Sequence, residues 1–208
     1  MIGKFITFEG GDGAGKTTQI KLLTEYLSGK GVAFLVTREP GGTKISEKIR
    51  EILLDRGNKE MDAITEAYLF AASRSSLVKE LILPELRQGK AVICDRFFDS
   101  SLAYQGFGRG LGAETVLKIN EEALRGVSPD ITFFIDVPPD LGTKRREAAG
   151  EPDRMELSDM EFKEKVYAGY KFISEAERER IITIDGRKSP DEIHSQITAH
   201  INALFNFK

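Results

Sequence analysis

A chain of 208 residues, of which 40% are hydrophobic, can bury a substantial core, and we expect a single domain over residues 1–208. The formal net charge of −3 argues against a broadly basic face and therefore against a nucleic acid partner. The single cysteine, Cys94, excludes an intrachain disulfide and lies in an apolar run, where a buried thiol is expected. No apolar run approaches the ~18 residues that span a bilayer, and residues 1–9 resemble a first strand, so we predict a cytoplasmic protein with no membrane partner.

Five short apolar runs divide the chain, at residues 5–8, 32–36, 91–94, 131–137 and 181–184. They are continuous rather than alternating, which is typical of parallel strands that are covered on both faces. The segments between them are long enough for helices. This order predicts an α/β fold with a five-stranded, parallel, doubly wound sheet flanked by helices, in which ligands bind beyond the carboxyl ends of the strands.

The first apolar run is followed by a glycine-rich loop, residues 10–17, which matches the phosphate-loop pattern G-x-x-x-x-G-K-[ST] between a strand and a helix. Glycines allow several backbone N–H groups to point at one phosphate chain, and the helix N-terminus adds a positive dipole. The pattern predicts a nucleoside triphosphate site, with Lys16 on the β/γ-phosphates and Thr17 on Mg²⁺. The predicted phosphate-binding residues are Gly10, Gly11, Asp12, Gly13, Ala14, Gly15, Lys16, Thr17 and Thr18.

The second apolar run ends in the sequence TREPGGT, residues 37–43, where a proline and two glycines form a tight turn. Arg38 is expected at the carboxyl edge of this strand, opposite the phosphate loop. A second molecule that carries a phosphate could bind there.

Phe70 and Arg74 are spaced i, i+4 on a helical segment and therefore share a face. An aromatic ring with a hydrogen-bond donor one turn away suits a nucleobase. From the pair alone, however, a core position for Phe70 is the favoured interpretation.

The third apolar run ends in Asp95-Arg96. A carboxylate beside a phosphate loop suits Mg²⁺ bound through water, so Asp95 joins Thr17 as a predicted metal ligand; the alternative is a helix cap. The planar guanidinium of Arg96 suits phosphate oxygens.

The polar stretch of residues 144–154 lacks apolar anchors, so it could be a solvated helix end or a mobile lid, at about residues 142–156. The chain also lacks a guanine-reading Asn-Lys-x-Asp motif, which argues against a GTPase, and no general base stands out. A base is unnecessary if the acceptor is itself a phosphate, because its second pKa of ≈ 6 leaves the attacking oxygen largely deprotonated. Arginines and Mg²⁺ would then supply positioning and charge neutralisation.

These motifs resemble those of bacterial thymidylate kinases. The resemblance rests on residues 8–17, 37–43, 70–74 and 95–106, and the block that begins Asp95-Arg96 and ends in Ala-Tyr-Gln-Gly is the most specific part. It implies a P-loop kinase that moves the γ-phosphate of ATP onto dTMP with Mg²⁺, in a homodimer.

By position, the resemblance implies a binding site for each substrate. Arg38 and Arg96 would hold the dTMP phosphate, and Asp12 would bind the deoxyribose 3′-hydroxyl. Tyr104 would pack where a ribose 2′-hydroxyl would project. The base would stack on Phe70 and hydrogen-bond to Arg74, with Ser101 and Gln105 nearby, which reverses the interpretation of Phe70 as core. The adenine would be bordered by Gly186 and Arg187.

The resemblance also implies a catalytic arginine, in addition to Lys16 and Arg96, either in the phosphate loop or in the lid. The loop has Gly13 where the first type carries arginine, and Glu147 and Ala149 stand where the second type often has basic residues. Arg145, Arg146 and Arg154 remain, and we expect one of them to act from the lid. The alternatives are a kinase for another nucleoside monophosphate and a P-loop nucleotide-binding protein without turnover.

Overall fold

The computed structural model describes residues 3–147 and 153–207. Its centre is a five-stranded parallel sheet, as predicted, with the order β2-β3-β1-β4-β5. The strands are β1 (Phe5–Glu9), β2 (Phe34–Arg38), β3 (Ala91–Asp95), β4 (Ile131–Asp136) and β5 (Ile181–Asp185).

Helices cover both faces of the sheet. They are α1 (Lys16–Gly29), α2 (Lys44–Leu54), α3 (Ala63–Leu77), α4 (Leu83–Arg87), α5 (Phe98–Ser101), α6 (Ala113–Leu124), α7 (Pro139–Glu147), α8 (Met160–Ala176) and α9 (Pro190–Phe205). Two π-helical segments, Val78–Ile82 and Leu102–Gly108, continue α3 and α5.

The central strands β1, β3 and β4 are buried along almost their whole length because successive residues point to opposite covered faces, whereas the edge strands β2 and β5 are partly exposed. On one face, Ile6 and Phe8 pack against α1 and α9, for example against Leu23 and Ile197. On the other face, Phe5 packs beside residues of α3 and α4, including Leu86, and Phe134 packs against α8. Cys94 is a buried free thiol, as predicted.

The second strand begins two residues later than predicted. The N–H of Val32 donates to the carbonyl oxygen of Leu27 at 3.0 Å, and Gly31 has a φ of +70°, so residues 30–32 close the carboxyl end of α1. Val32 therefore caps a helix rather than pairing in the sheet.

The topology places the chemically distinctive residues at one edge. Strand β1 lies between β3 and β4, so the chain leaves β1 at the point where the strand order reverses, which is where doubly wound sheets bind ligands. Phe8 is in register with Asp95, which brings the loop after β1 beside Asp95-Arg96.

The described part of the expected lid is more firmly held than its polar sequence suggests. Helix α7 ends at Glu147, and the chain turns at residues 154–157. Residues 148–152, which include Ala149, lie outside the described residues. Arg154 and Met155 are both buried, at 9% and 8% exposure. The mobility of the lid stays a prediction. Within the described ranges, no helix has the length and apolar composition that crossing a bilayer requires.

Candidate active site

The phosphate loop is folded around its own lysine. Gly10 and Gly13 have φ values of +139° and +74°, which L-residues with side chains rarely adopt. The Lys16 ammonium donates to the carbonyl oxygens of Gly10 and Gly11 at 3.1 and 3.0 Å. Burial, together with the nearby charge of Arg96, lowers the pKa of Lys16. Thr17 follows in the first turn of α1 with an exposed side chain, and so does Thr18.

Helix α7 rests directly on this loop through two glycines. A Cβ added to Gly13 would lie 2.1 Å from the carbonyl oxygen of Gly142, and one added to Gly142 would lie 2.5 Å from that of Asp12. Both distances are shorter than a real Cβ contact, so the loop and α7 can approach this closely only because neither Gly13 nor Gly142 has a side chain. An arginine at position 13 would therefore require α7 to move.

Arg96 connects the phosphate loop to two other parts of the site. Its Nη1 donates to the carbonyl oxygen of Gly10 at 2.7 Å and to the Tyr170 hydroxyl at 3.1 Å, and its Nη2 forms an ion pair with Asp12 at 2.7 Å. The guanidinium carbon lies 5.2 Å from the centroid of the Tyr104 ring. Burial alone would raise the pKa of Asp12, but the charges of Arg96 and Lys16 outweigh it and hold that pKa below its usual value.

Glu9, the last residue of β1, is a buried carboxylate that the sequence interpretation missed. It accepts hydrogen bonds from the backbone N–H of Phe97 at 2.7 Å, the Ser100 hydroxyl at 2.6 Å and the Tyr170 hydroxyl at 2.8 Å. Burial, and secondly the charge of Asp99, raise the pKa of Glu9 to about 7. A signal was available, because Glu9 ends an apolar strand in the same way as Asp95 does.

A cavity of about 160 Å³ lies between the loop, α3 and the segment after β3. All of the predicted acceptor-site residues except Arg38 line it: Asp12, Phe70, Arg74, Arg96, Ser101, Tyr104 and Gln105. Phe70 is only half-buried and lies on the cavity wall, so the interpretation of this ring as core, drawn from the pair alone, is wrong.

Arg74 is 1% exposed, and protein groups use most of its donors. It donates from Nε to Glu39 at 2.9 Å and from Nη2 to Ser101 at 3.0 Å, and its Nη1 donates to Asn120. Only one Nη1 hydrogen lacks a partner among the described residues, so Arg74 could offer a base edge a single hydrogen bond. Glu39, which belongs to the TREPGGT sequence, is the buried counter-charge of Arg74, a role that the sequence did not predict.

The second predicted phosphate ligand, Arg38, is not brought to the cavity wall. Its side chain is 51% exposed and pairs with Glu47 at 2.9 Å. Arg50 of α2 lines the cavity instead and donates to the carbonyl oxygen of Pro40 at 2.8 Å. Burial, and then the charge of Arg38, lower the pKa of Arg50. Arg50 belongs to no recognisable motif, and only its packing on the turn after β2 places it here.

The predicted metal ligands fit an ion that is held mainly by phosphates and water. Asp95 Oδ1 is buried and has no hydrogen-bond partner among the described residues. Within residues 3–147 and 153–207, no three His, Cys, Asp or Glu side chains are grouped so as to hold a metal. Mg²⁺ at phosphates usually needs only one or two protein ligands, so this donor set is sufficient.

The three lid arginines have different surroundings. Arg145 donates to the carbonyl oxygen of Gly186 at 2.9 Å, and the neighbouring Arg187 pairs with Asp185 at 2.8 Å. Arg154 is tied to Glu66 at 2.8 Å and to the carbonyl oxygen of Leu53 at 2.7 Å. None of these partners belongs to the phosphate loop.

Arg146 lines a second cavity, of about 320 Å³, together with Gly11, Asp12 and Tyr104. Its Nε and Nη2 donate to Glu156 at 2.6 and 2.9 Å, whereas its Nη1 is buried and has no partner in the part of the chain that the structure describes. Arg146 therefore lines the cavity beside the loop with a buried nitrogen that no described residue contacts.

Comparisons with known proteins identify the family of the chain. A family model described as thymidylate kinase matches residues 8–197. The thymidylate kinase of Caldanaerobacter subterraneus subsp. tengcongensis is 51% identical over 197 residues, which cover 95% of this chain and 94% of that protein. The chain belongs to the thymidylate kinase family.

Further members are similar over the same length. The thymidylate kinase of Lactobacillus helveticus is 47% identical over 202 residues, or 96% of this chain and 95% of that protein. A crystal structure of thymidylate kinase from Ehrlichia chaffeensis has a TM-score of 0.80 at 37% identity and covers 97% of this chain and 99% of that one. The predictions of fold and family are confirmed, while the roles of individual residues in this thymidylate kinase family member stay predictions.

Proposed function

We propose that the protein transfers the γ-phosphate of ATP to dTMP, in the presence of Mg²⁺, and releases dTDP and ADP. One observation carries the proposal: a single cavity is lined by an aromatic ring with a donor, Phe70 and Arg74, and by a cation that also contacts the phosphate loop, Arg96. A nucleobase and a phosphate can therefore occupy one site beside the ATP phosphates. Membership of the thymidylate kinase family supports dTMP as the acceptor.

On the donor side, the loop amides and Lys16 would hold the ATP phosphates, and the ammonium already lies within the loop. Thr17 and Asp95 would hold Mg²⁺, which when bound neutralises phosphate charge. Arg145 and Arg187 would border the adenine, because both lie around Gly186 at the end of β5.

On the acceptor side, Arg96 and Arg50 would hold the dTMP phosphate with an oxygen directed at the γ-phosphate. No general base is required, since the second pKa of a phosphate monoester is ≈ 6. Tyr104, with its ring against Arg96, would exclude a ribose 2′-hydroxyl. Charge that develops on the transferred group would be met by Nη1 of Arg146, which has no partner among residues 3–147 and 153–207.

The proposal is tested by ADP release measured with each nucleoside monophosphate in turn. We expect dTMP-dependent ADP release that is much faster than release with dCMP, dGMP or AMP. Replacing Phe70 with alanine should raise the KM for dTMP by about tenfold, since loss of base stacking costs about 1–3 kcal/mol, and should leave the KM for ATP unchanged. Absence of dTMP-dependent release would contradict a kinase and would favour a nucleotide-binding protein without turnover.

We also propose that two copies of the chain form a cytoplasmic homodimer. Helices α2 and α3 pack together and expose apolar side chains, among them Ile45 at 52%, Ile52 at 47% and Tyr68 at 59%. Exposed apolar side chains on two helices that pack together suit an interface between copies. Sedimentation should give twice the chain mass, and Tyr68→Glu should shift it towards the mass of one chain; a monomeric wild type would contradict the proposal.

A further inference from the structure

Helix α8 contributes one hydroxyl group to the acceptor site. Tyr170 is 3% exposed, its ring stacks on Phe134 with centroids 5.3 Å apart, and its oxygen lies 3.1 Å from Nη1 of Arg96. Arg96 follows β3, more than 70 residues earlier in the chain. A side chain that follows the lid in sequence thus contacts the arginine expected to hold the acceptor phosphate.

This contact determines which edge of the guanidinium is free. Nη1 carries two hydrogens, and the carbonyl oxygen of Gly10 accepts one while the hydroxyl oxygen of Tyr170 accepts the other. Because the protein uses both hydrogens of Nη1, and Asp12 accepts one of the two hydrogens of Nη2 at 2.7 Å, an anion in the cavity would be met by the remaining Nη2 hydrogen and by Nε–H. This is the edge that can form a paired contact with a phosphate.

The Tyr170 hydroxyl is itself fixed by a buried carboxylate. It donates to Glu9 Oε2 at 2.8 Å, and the Ser100 hydroxyl donates to the same oxygen at 2.6 Å. The backbone N–H of Phe97 donates to the other oxygen, Oε1, at 2.7 Å. Glu9 is 1% exposed, and hydrogen bonds at such low local dielectric are stronger and more rigid than those in water.

The backbone of Arg96 supplies independent support. Its φ is +66°, in the left-handed region that residues with side chains rarely adopt. Such a conformation persists only where the surroundings impose it, and it is concentrated at functional sites. Here the N–H of Arg96 donates to the carbonyl oxygen of Phe8 at 2.9 Å, while Gly10, Asp12 and Tyr170 hold the side chain.

We propose that Tyr170 is a positioning residue for phosphoryl acceptance: held by Glu9, it fixes Nη1 of Arg96 so that the Nη2–Nε edge faces the acceptor phosphate. The inference rests on the proposed function for the identity of the acceptor. Tyr170 acts through Arg96 and need not touch dTMP itself.

The first test replaces the hydroxyl and keeps the ring. Tyr170→Phe should raise the KM for dTMP by about tenfold, the effect expected on losing a hydrogen bond to a charged group, and change the KM for ATP by less than about twofold. Tyr26→Phe is the matched control, because Tyr26 loses a similar bond, to Asn202 at 2.5 Å, between α1 and α9. An equal rise in both KM values for Tyr170→Phe would indicate general loosening and would overturn the proposal.

The second test asks whether Tyr170 acts through Arg96. The Kd for dTMP is measured calorimetrically for the wild type, Tyr170→Phe, Arg96→Lys and the double variant. We expect Tyr170→Phe to weaken binding about tenfold in the wild type but less than about twofold beside Lys at position 96, because coupled residues are not additive. The same loss in both backgrounds would overturn the proposal.

Glu9→Gln provides a further variant that leaves the Tyr170 ring and hydroxyl in place. Its amide group cannot accept both hydroxyl hydrogens and the Phe97 N–H as a carboxylate does, so dTMP binding should weaken in the same direction. Unchanged binding would count against the proposal. If the wild type turns over dTMP while Tyr170→Phe behaves like Tyr26→Phe, this inference alone fails; if the wild type shows no dTMP-dependent turnover, the proposed function fails.

Discussion

Replacing Arg146 with alanine should slow phosphoryl transfer more than it weakens the binding of either substrate. The guanidinium lies in the cavity beside Gly11 and Asp12, and Glu156 uses its Nε and Nη2, at 2.6 and 2.9 Å. Its Nη1 is buried without a partner among the described residues. A buried, uncommitted cationic donor beside a phosphate loop is placed to meet charge that develops on the transferred group.

The magnitude follows from the number of free nitrogens. One uncommitted nitrogen implies one charge-assisted contact made chiefly in the transition state, and loss of such a donor slows a reaction by about 10²-fold, or about 2.7 kcal/mol. Arg146→Lys should recover part of the rate, because lysine keeps the charge but loses the planar fork. Lys144→Ala, an exposed position on the same helix, is the control and should stay within about twofold of the wild type.

The assay is rapid-quench measurement of dTDP formation at saturating ATP and dTMP, which reports the chemical step separately from binding. Arg145→Ala and Arg154→Ala are measured alongside: the former should mainly raise the KM for ATP, and the latter should mainly lower stability, since Arg154 is tied to Glu66. If Arg146→Ala retains a rate within about threefold of the wild type, or if a folded Arg154→Ala loses more, the assignment to Arg146 is refuted.

Three further predictions concern other parts of the site. Between pH 4.5 and about 7 the folded chain holds a proton on Glu9 that the unfolded chain has released. The stability that this group confers is therefore lost as the pH rises through that window, by up to about 3 kcal/mol. Denaturant unfolding of Glu9→Gln, followed across the same pH range, should lack this decline. Gly142→Ala should cost about 1–3 kcal/mol of stability and raise the KM for ATP, because its Cβ would lie 2.5 Å from the Asp12 carbonyl oxygen; unchanged values would refute that contact. Arg50→Met should raise the KM for dTMP at least about tenfold and Arg38→Met less than about twofold; the reverse order would restore the prediction made from sequence.

The sheet was predictable because its evidence is local. Each buried strand is a short apolar run, and the phosphate loop combines a fixed spacing with a strand before it and a helix after it. The error at Val32 arose because an apolar residue that caps a helix looks the same in sequence as the first residue of a strand. The position of Asp95-Arg96 beside the loop was also predicted correctly, because both segments follow the carboxyl ends of strands in one parallel sheet.

The remaining part of the site depends on tertiary contacts that leave no local pattern. Tyr170 reaches Glu9 across 161 positions of sequence, and the helical periodicity of α8 marks it only as a buried residue. Arg50 reaches the cavity because α2 packs on the turn after β2, whereas the more conspicuous Arg38 is held by Glu47. Tertiary packing, as well as the sequence motifs, therefore determines which side chains line the cavity.

The most direct test of the central claim is a competition experiment. ATP labelled at the γ-phosphate is supplied with equal concentrations of dTMP, dCMP, dGMP and AMP, and the labelled diphosphates are separated early in the reaction. The account predicts that dTDP carries nearly all of the label, and that Phe70→Ala lowers the labelling of dTDP. Comparable labelling of several diphosphates by the wild type would contradict it.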